Sequence, residues 1–111
     1  MEELLLNKVL AIVDLIRTDD FEQLITDGCI NPDSAPAYRE LLQDYGGRIS
    51  LINAAEYKKY FMYIRIGETN TFTTLLDLII DNQRSDLTLI CEVTFEENGS
   101  IKIFIDDIHV L

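Results

Sequence analysis

Side chains able to do acid-base, nucleophilic or metal chemistry are sparse in this chain: 111 residues hold one histidine, His109, and two cysteines, Cys29 and Cys91. Asp107 and His109 stand two apart, so on a strand they share a face, as a His-carboxylate dyad or a pair of metal ligands would. A dyad alone lacks a substrate-positioning partner. Two ligands fall short of the four that a zinc site takes, and no second histidine exists to help. The cysteine spacing matches no zinc or redox motif, so both read as free thiols, Cys29 in a loop and Cys91 as a small core residue. No Gly-rich phosphate loop, nucleophile elbow or His-Glu-x-x-His run occurs. The expectation is a protein that is not an enzyme, with no catalytic residue, metal or cofactor.

What the chain does hold in quantity is carboxylate. Twenty acidic residues against nine basic ones give a net charge of −11, a field that repels phosphate backbones and attracts basic proteins. The charge is unevenly spread: −7 over residues 1–45, +3 over 46–65 and −7 over 66–111. Within the basic stretch Tyr57, Tyr60, Phe61 and Tyr63 interleave with Lys58, Lys59 and Arg65, superficially a base-stacking platform. Between two acidic regions these cations are expected to neutralise neighbours across a sheet, and no nucleic-acid partner is expected.

The candidate site is therefore a surface. Glu92, Glu96 and Asp106 fall on the expected outer face of the last hairpin, with Asp86 at the strand entry and Asp77 alongside, and Ile90 and Phe104 lie among them. Carboxylates around a few exposed apolar side chains suit docking of a basic protein, the apolar groups supplying affinity and the charges association rate. Asp19, Asp20, Glu22 and Asp27 form a second acidic patch.

These residues must be positioned by one domain, because the length supports a single core over residues 1–111. From Glu2 to Arg17, Leu5, Leu6, Val9, Leu10, Ile12, Val13 and Ile16 recur at helical spacing. A short second helix follows, with Asp19 as a capping residue and Gly28 as its stop. A third starts at Asp33 or Ser34, carries Pro36 in its first turn and an apolar stripe of Tyr38, Leu41, Leu42 and Tyr45, and ends at Gly46-Gly47. Beyond the glycines the period becomes alternating. Strands are expected over Arg48–Ile52, Tyr57–Ile66 and Thr71–Ile80, then, after a polar loop from Asp81 to Ser85, a hairpin from Leu87 onward.

In that hairpin a two-residue Asn98-Gly99 turn would mix the two faces. A three-residue loop, Glu97-Asn98-Gly99 with Gly99 left-handed, instead pairs Phe95 with Ile101, Val93 with Ile103 and Cys91 with Ile105. The alternation slips after Ile105, and a bulge at Asp106-Asp107 would return Ile108 and Val110 to the core face. The expected fold class is α+β, three N-terminal helices packed on a curved antiparallel sheet of four to five strands. The N-terminus opens acidic and no window suits a membrane span, so a cytoplasmic protein with no membrane association is expected.

Helices first, then long antiparallel strands that run to the last residue, with Asp20-Phe21-Glu22-Gln23-Leu24 after the first helix and Gly99, Ile101, Ile103, Ile105 and Ile108-His109-Val110-Leu111 in the last strand, resemble the cystatin-like, nuclear-transport-factor-like cone domains. Enzymes of that family place an acid-base pair, often Asp with His, inside the cone; here the cone-lining positions are apolar and the histidine is nearly terminal. Arg84-Ser85-Asp86-Leu87-Thr88-Leu89 together with Asp106-Asp107-Ile108-His109-Val110-Leu111 also resembles small bacterial proteins akin to toxin-immunity proteins. That resemblance implies inhibition of a basic toxin domain, a nuclease, by covering its active site. A cone-fold carrier or enzyme with Tyr38, Tyr60, Met62 and Phe72 lining a pocket is the alternative, and self-association into a homodimer through the open sheet face is a third expectation.

Overall fold

The computed structural model describes residues 1–110, whose elements follow the order α1 (Glu2–Arg17), α2 (Phe21–Thr26), α3 (Ala35–Tyr45), α4 (Ala54–Tyr57), a 3-10 turn (Lys58–Tyr60), β1 (Phe61–Arg65), β2 (Thr71–Ile80), β3 (Gln83–Phe95) and β4 (Ile101–Val110). The strands form one antiparallel sheet in the order β1-β2-β3-β4. The helices cover one face, giving an α+β fold. α1 buries all seven of its periodic apolar residues, and they join Phe21, Leu24, Tyr57, Leu76, Leu78, Leu87, Leu89, Cys91, Val93, Ile105 and Ile108 in one continuous core.

Helix α2 is capped by Asp20, whose carboxylate accepts the Gln23 N–H at 3.2 Å, one residue later than expected. Asp19 instead takes a left-handed conformation (φ 58°) and turns its carboxylate to Arg39. In α3 only Ala35 is fully buried; Tyr38, Leu41 and Leu42 pack half-buried on the core, while the last stripe residue, Tyr45, stays exposed.

Two strand expectations fail between residues 48 and 60. Arg48–Ile52 contributes a single bridge, Ile49 to Ile80, and then Asn53 caps α4 by accepting the Glu56 N–H at 3.1 Å. Tyr57 to Tyr60 is helical, so β1 starts only at Phe61. Tertiary demand overrides the strand preference of these tyrosines: Tyr57 is fully buried, and its hydroxyl accepts the Ile79 N–H at 3.1 Å where the β2–β3 register slips between Asp77 and Ile79. That slip also changes which residues face the core, so Leu78 and Ile79 are both buried and Ile80 only half so.

The Asp81–Ser85 loop shrinks to two residues. Asp81 and Asn82 have φ of 51° and 64°, the primed-turn geometry that suits the twist of a hairpin, and Ile80 already pairs with Gln83. The β3–β4 hairpin has the expected register, Phe95 to Ile101, Val93 to Ile103 and Cys91 to Ile105. Gly99 is left-handed (φ 88°) and its N–H reaches the Glu96 carbonyl, closing the three-residue loop. The bulge is also present: Ile90 faces Asp107 and Leu89 faces Ile108, which returns to the core. Val110, expected to return with it, remains about half exposed.

Candidate docking face

Among the described residues no element covers the side of the sheet away from the helices, and its cross-strand rows follow from the register. Met62, Leu75, Ile90 and Asp107 make one row, Ile64, Thr73, Glu92 and Phe104 the next. Met62 and Ile64 are 62% and 58% exposed on the short edge strand and Phe104 is 38% exposed, while Leu75 and Ile90 are half-buried between them. An apolar band thus crosses the whole sheet, with Glu92 beside Phe104 at its β4 end.

Glu92, Glu96 and Phe104 come together in a groove of about 630 Å³ that straddles β4 and is completed by Thr94, Ile101 and Lys102 and by Asp27 and Gly28 at the end of α2. Glu96 is tied to Lys102 at 3.4 Å, whereas Glu92 forms no ion pair among the described residues. Asp27 brings part of the second acidic patch to the same groove. The sequence separates Asp27 from Glu92 by 65 residues; the packing of the α2–α3 connection on β4, anchored by the Ile105 N–H on the Cys29 carbonyl at 2.7 Å, joins them.

The other expected residues are placed differently. Asp77 belongs to the face, yet its carboxylate is engaged by the Arg84 guanidinium (2.7 and 2.9 Å) and by the Thr88 hydroxyl (2.8 Å), which leaves it little capacity for a partner. Asp86 accepts the Tyr45 hydroxyl at 2.6 Å, tying β3 to α3. Six residues from Glu92 along the strand, it lies about 20 Å away and outside the groove. Asp106 is the bulged residue on β4; it is exposed, and its carbonyl accepts the Tyr38 hydroxyl at 3.2 Å. Of the seven candidates, Ile90, Glu92, Glu96 and Phe104 cluster, Asp106 flanks them, and Asp77 and Asp86 serve internal contacts.

Asp107 and His109 face outward, 3.0 Å apart and partly exposed. Among the described residues no three His, Cys, Asp or Glu side chains converge to hold a metal ion. Cys29 and Cys91 are buried and unbonded, and burial above all pushes both thiols up from their ordinary values, Asp27 adding to the effect at Cys29. Burial also raises the Tyr38 phenol, with Asp107 and then Asp106 adding to it. The four aromatic and methionine residues of the pocket alternative are dispersed. Met62 is on the open face, Tyr60 lies beneath the Arg84 guanidinium (4.6 Å), Phe72 is in the core and Tyr38 is at the β4 edge.

Nor do the basic residues near β1 neutralise neighbours across the sheet. Among the described residues Lys58, Lys59 and Arg65 form no ion pair, and Arg65 stacks over the Phe72 ring at 5.5 Å. The sheet cations that do form ion pairs are Arg84, with Asp77, and Lys102, with Glu96. No helix is long and apolar enough to cross a membrane among the described residues.

Fold and surface together define a small α+β domain with an uncovered, acid-rimmed sheet face. The chain belongs to the family described as Domain of unknown function (DUF7668), which matches residues 13–111 and so spans every element from the latter part of α1 to the end of the sheet. Comparison with curated proteins and with solved structures returns no match.

Proposed function

We propose that this chain is a binding protein that docks a basic protein on its open sheet face, acting as an immunity-type inhibitor that covers the active site of a toxin domain, a nuclease. The observation that carries the reading is the apolar band from Met62 to Phe104, with Glu92, which forms no ion pair among the described residues, at its end and Asp27 and Glu96 in the adjoining groove. Apolar anchors inside a charged rim are what a protein interface needs for slow dissociation and fast association. A nuclease active site is built to receive phosphates, and carboxylates presented on a rigid strand occupy such a site electrostatically.

The experiment is co-expression with the protein encoded beside it, followed by affinity measurement at low and high salt. Tight binding that weakens as salt rises, and falls by about tenfold or more in Phe104→Ala and in Glu92→Lys, is the expected result. A neighbour that is not basic, or an affinity indifferent to both salt and these substitutions, overturns the proposal.

A further inference from the structure

Three of the five arginines of this acidic chain line one pocket on the helix side of the molecule, remote from the open sheet face. The pocket, about 450 Å³, lies where the end of α1, the end of α3 and the Gly46–Ile49 segment meet β2. Its floor is apolar, formed by Ile16, Phe21, Leu42, Ile49 and Ile80, and its rim carries Arg17, Arg39 and Arg48 together with Gln43 and one carboxylate, Asp19. The volume falls within the range of small-molecule sites, and an apolar floor with a few convergent polar groups is their usual construction.

The guanidiniums are held in place without being used up. Arg39 stacks on the Phe21 ring at 5.1 Å and gives its Nε–H to Asp19 at 3.0 Å. Arg17 lies against one oxygen of Asp14, through Nε at 2.9 Å and its NH2 nitrogen at 2.8 Å. Each guanidinium has five N–H donors, so both retain donors for a ligand. Arg48 has its backbone N–H on Asp81 at 3.0 Å, while its side chain has no ion pair among the described residues. Gly47 shapes the wall: its φ is +75°, and a Cβ there would come within 2.6 Å of Ile80 and 2.7 Å of Asp81.

We infer that this pocket binds a small molecule with an oxyanion head, carboxylate or phosphate, on an apolar body. The guanidinium fork matches both heads, and the apolar floor takes the body. The site is independent of the docking proposal and would survive its failure.

The test is a titration of the labelled protein, followed by amide chemical shifts, with 4-phenylbutyrate, phenyl phosphate, inorganic phosphate and the neutral 4-phenyl-1-butanol. Saturable shifts at Phe21, Arg39, Gly47 and Arg48 with at least one of the first two, and binding at least about tenfold weaker for inorganic phosphate and for the alcohol, are expected. The head that binds more tightly names the ligand class. Arg48→Gln, a surface change that leaves the rest of the spectrum intact, should weaken the preferred probe by about tenfold, ~1.4 kcal/mol. Equal binding of the alcohol, inorganic phosphate as tight as phenyl phosphate, indifference to Arg48→Gln, or no shift at the pocket overturns the inference.

Discussion

Replacing Tyr57 by phenylalanine isolates one buried hydrogen bond. The Tyr57 ring has no exposure, and its oxygen receives the Ile79 N–H at 3.1 Å, while the Ile79 carbonyl is separately taken by the Ser50 N–H at 3.0 Å. The slip between Asp77 and Ile79 interrupts the ladder there, so the tyrosine stands in for a strand partner. Phenylalanine fills the same volume, and the loss is confined to an amide left buried without an acceptor, about 1–3 kcal/mol. Tyr57→Ala adds a cavity, and the total reaches about 3–5 kcal/mol. Urea unfolding followed by circular dichroism, with the slope unchanged between variants, measures both losses. Native-state hydrogen exchange supplies the local readout, because the Ile79 amide should lose protection in the phenylalanine variant while the β3 amides change only with global stability. A phenylalanine variant within about 0.5 kcal/mol of the parent, with Ile79 exchange unaltered, would refute the claim that this bond supports the sheet.

Four further outcomes follow from the same contacts. Gly47→Ala should destabilise by about 1–2 kcal/mol or more, since it combines a left-handed backbone with a clash against Ile80 and Asp81, and thermal melting reads this directly. Gly99→Val should cost more than Asn98→Ala, because only the glycine holds the left-handed position of the β3–β4 loop; denaturant midpoints compare them. Cys29 and Cys91 should resist a thiol reagent in the native protein and react fully once unfolded, and rapid native labelling of Cys91 would contradict its place in the core. Burial raises the Tyr57 phenol above its ordinary 10.0, so the fold holds that proton more tightly than the unfolded chain does. That stabilisation is complete below pH 10.0 and is lost as pH rises through the raised value, so tyrosinate absorbance for Tyr57 should appear together with loss of circular dichroism.

How far the sequence can be read depends on whether one residue or a distant packing partner makes each choice. The β3–β4 register is legible because one alternative alone keeps Val93, Cys91, Ile103 and Ile105 on a common side, and the slip at Asp106 is visible as a break in that alternation. The Asp81-Asn82 turn is harder to see: two non-glycine residues adopt left-handed conformations where Asn-Gly or Asp-Gly would have announced a hairpin. Helix α4 did leave a signal, Asn53 followed three residues later by Glu56, but the alternating apolar residues beside it suggest a strand. For the candidate site, alternation places Ile90, Glu92 and Phe104 on the outer face, yet it cannot reveal which carboxylates are already occupied. Asp77 meets Arg84 across a hairpin whose turn is misjudged, and Asp86 meets a tyrosine forty-one residues away. Met62 reads as a pocket-lining residue and Ile64 is not singled out, for the opposite reason, since apolar residues on a strand are taken as interior until the uncovered face is seen.

The two borders of the sheet are not equivalent. Along β4 the amide of Ile105 and the carbonyl of Asp106 are already satisfied by Cys29 and Tyr38, so the middle of that margin is occupied by the molecule's own chain. Along β1, among the described residues, no further strand lies beyond Phe61–Arg65. A visiting polypeptide that lengthens this sheet therefore meets less obstruction past Tyr63, between Met62 and Ile64, than at the middle of the opposite rim.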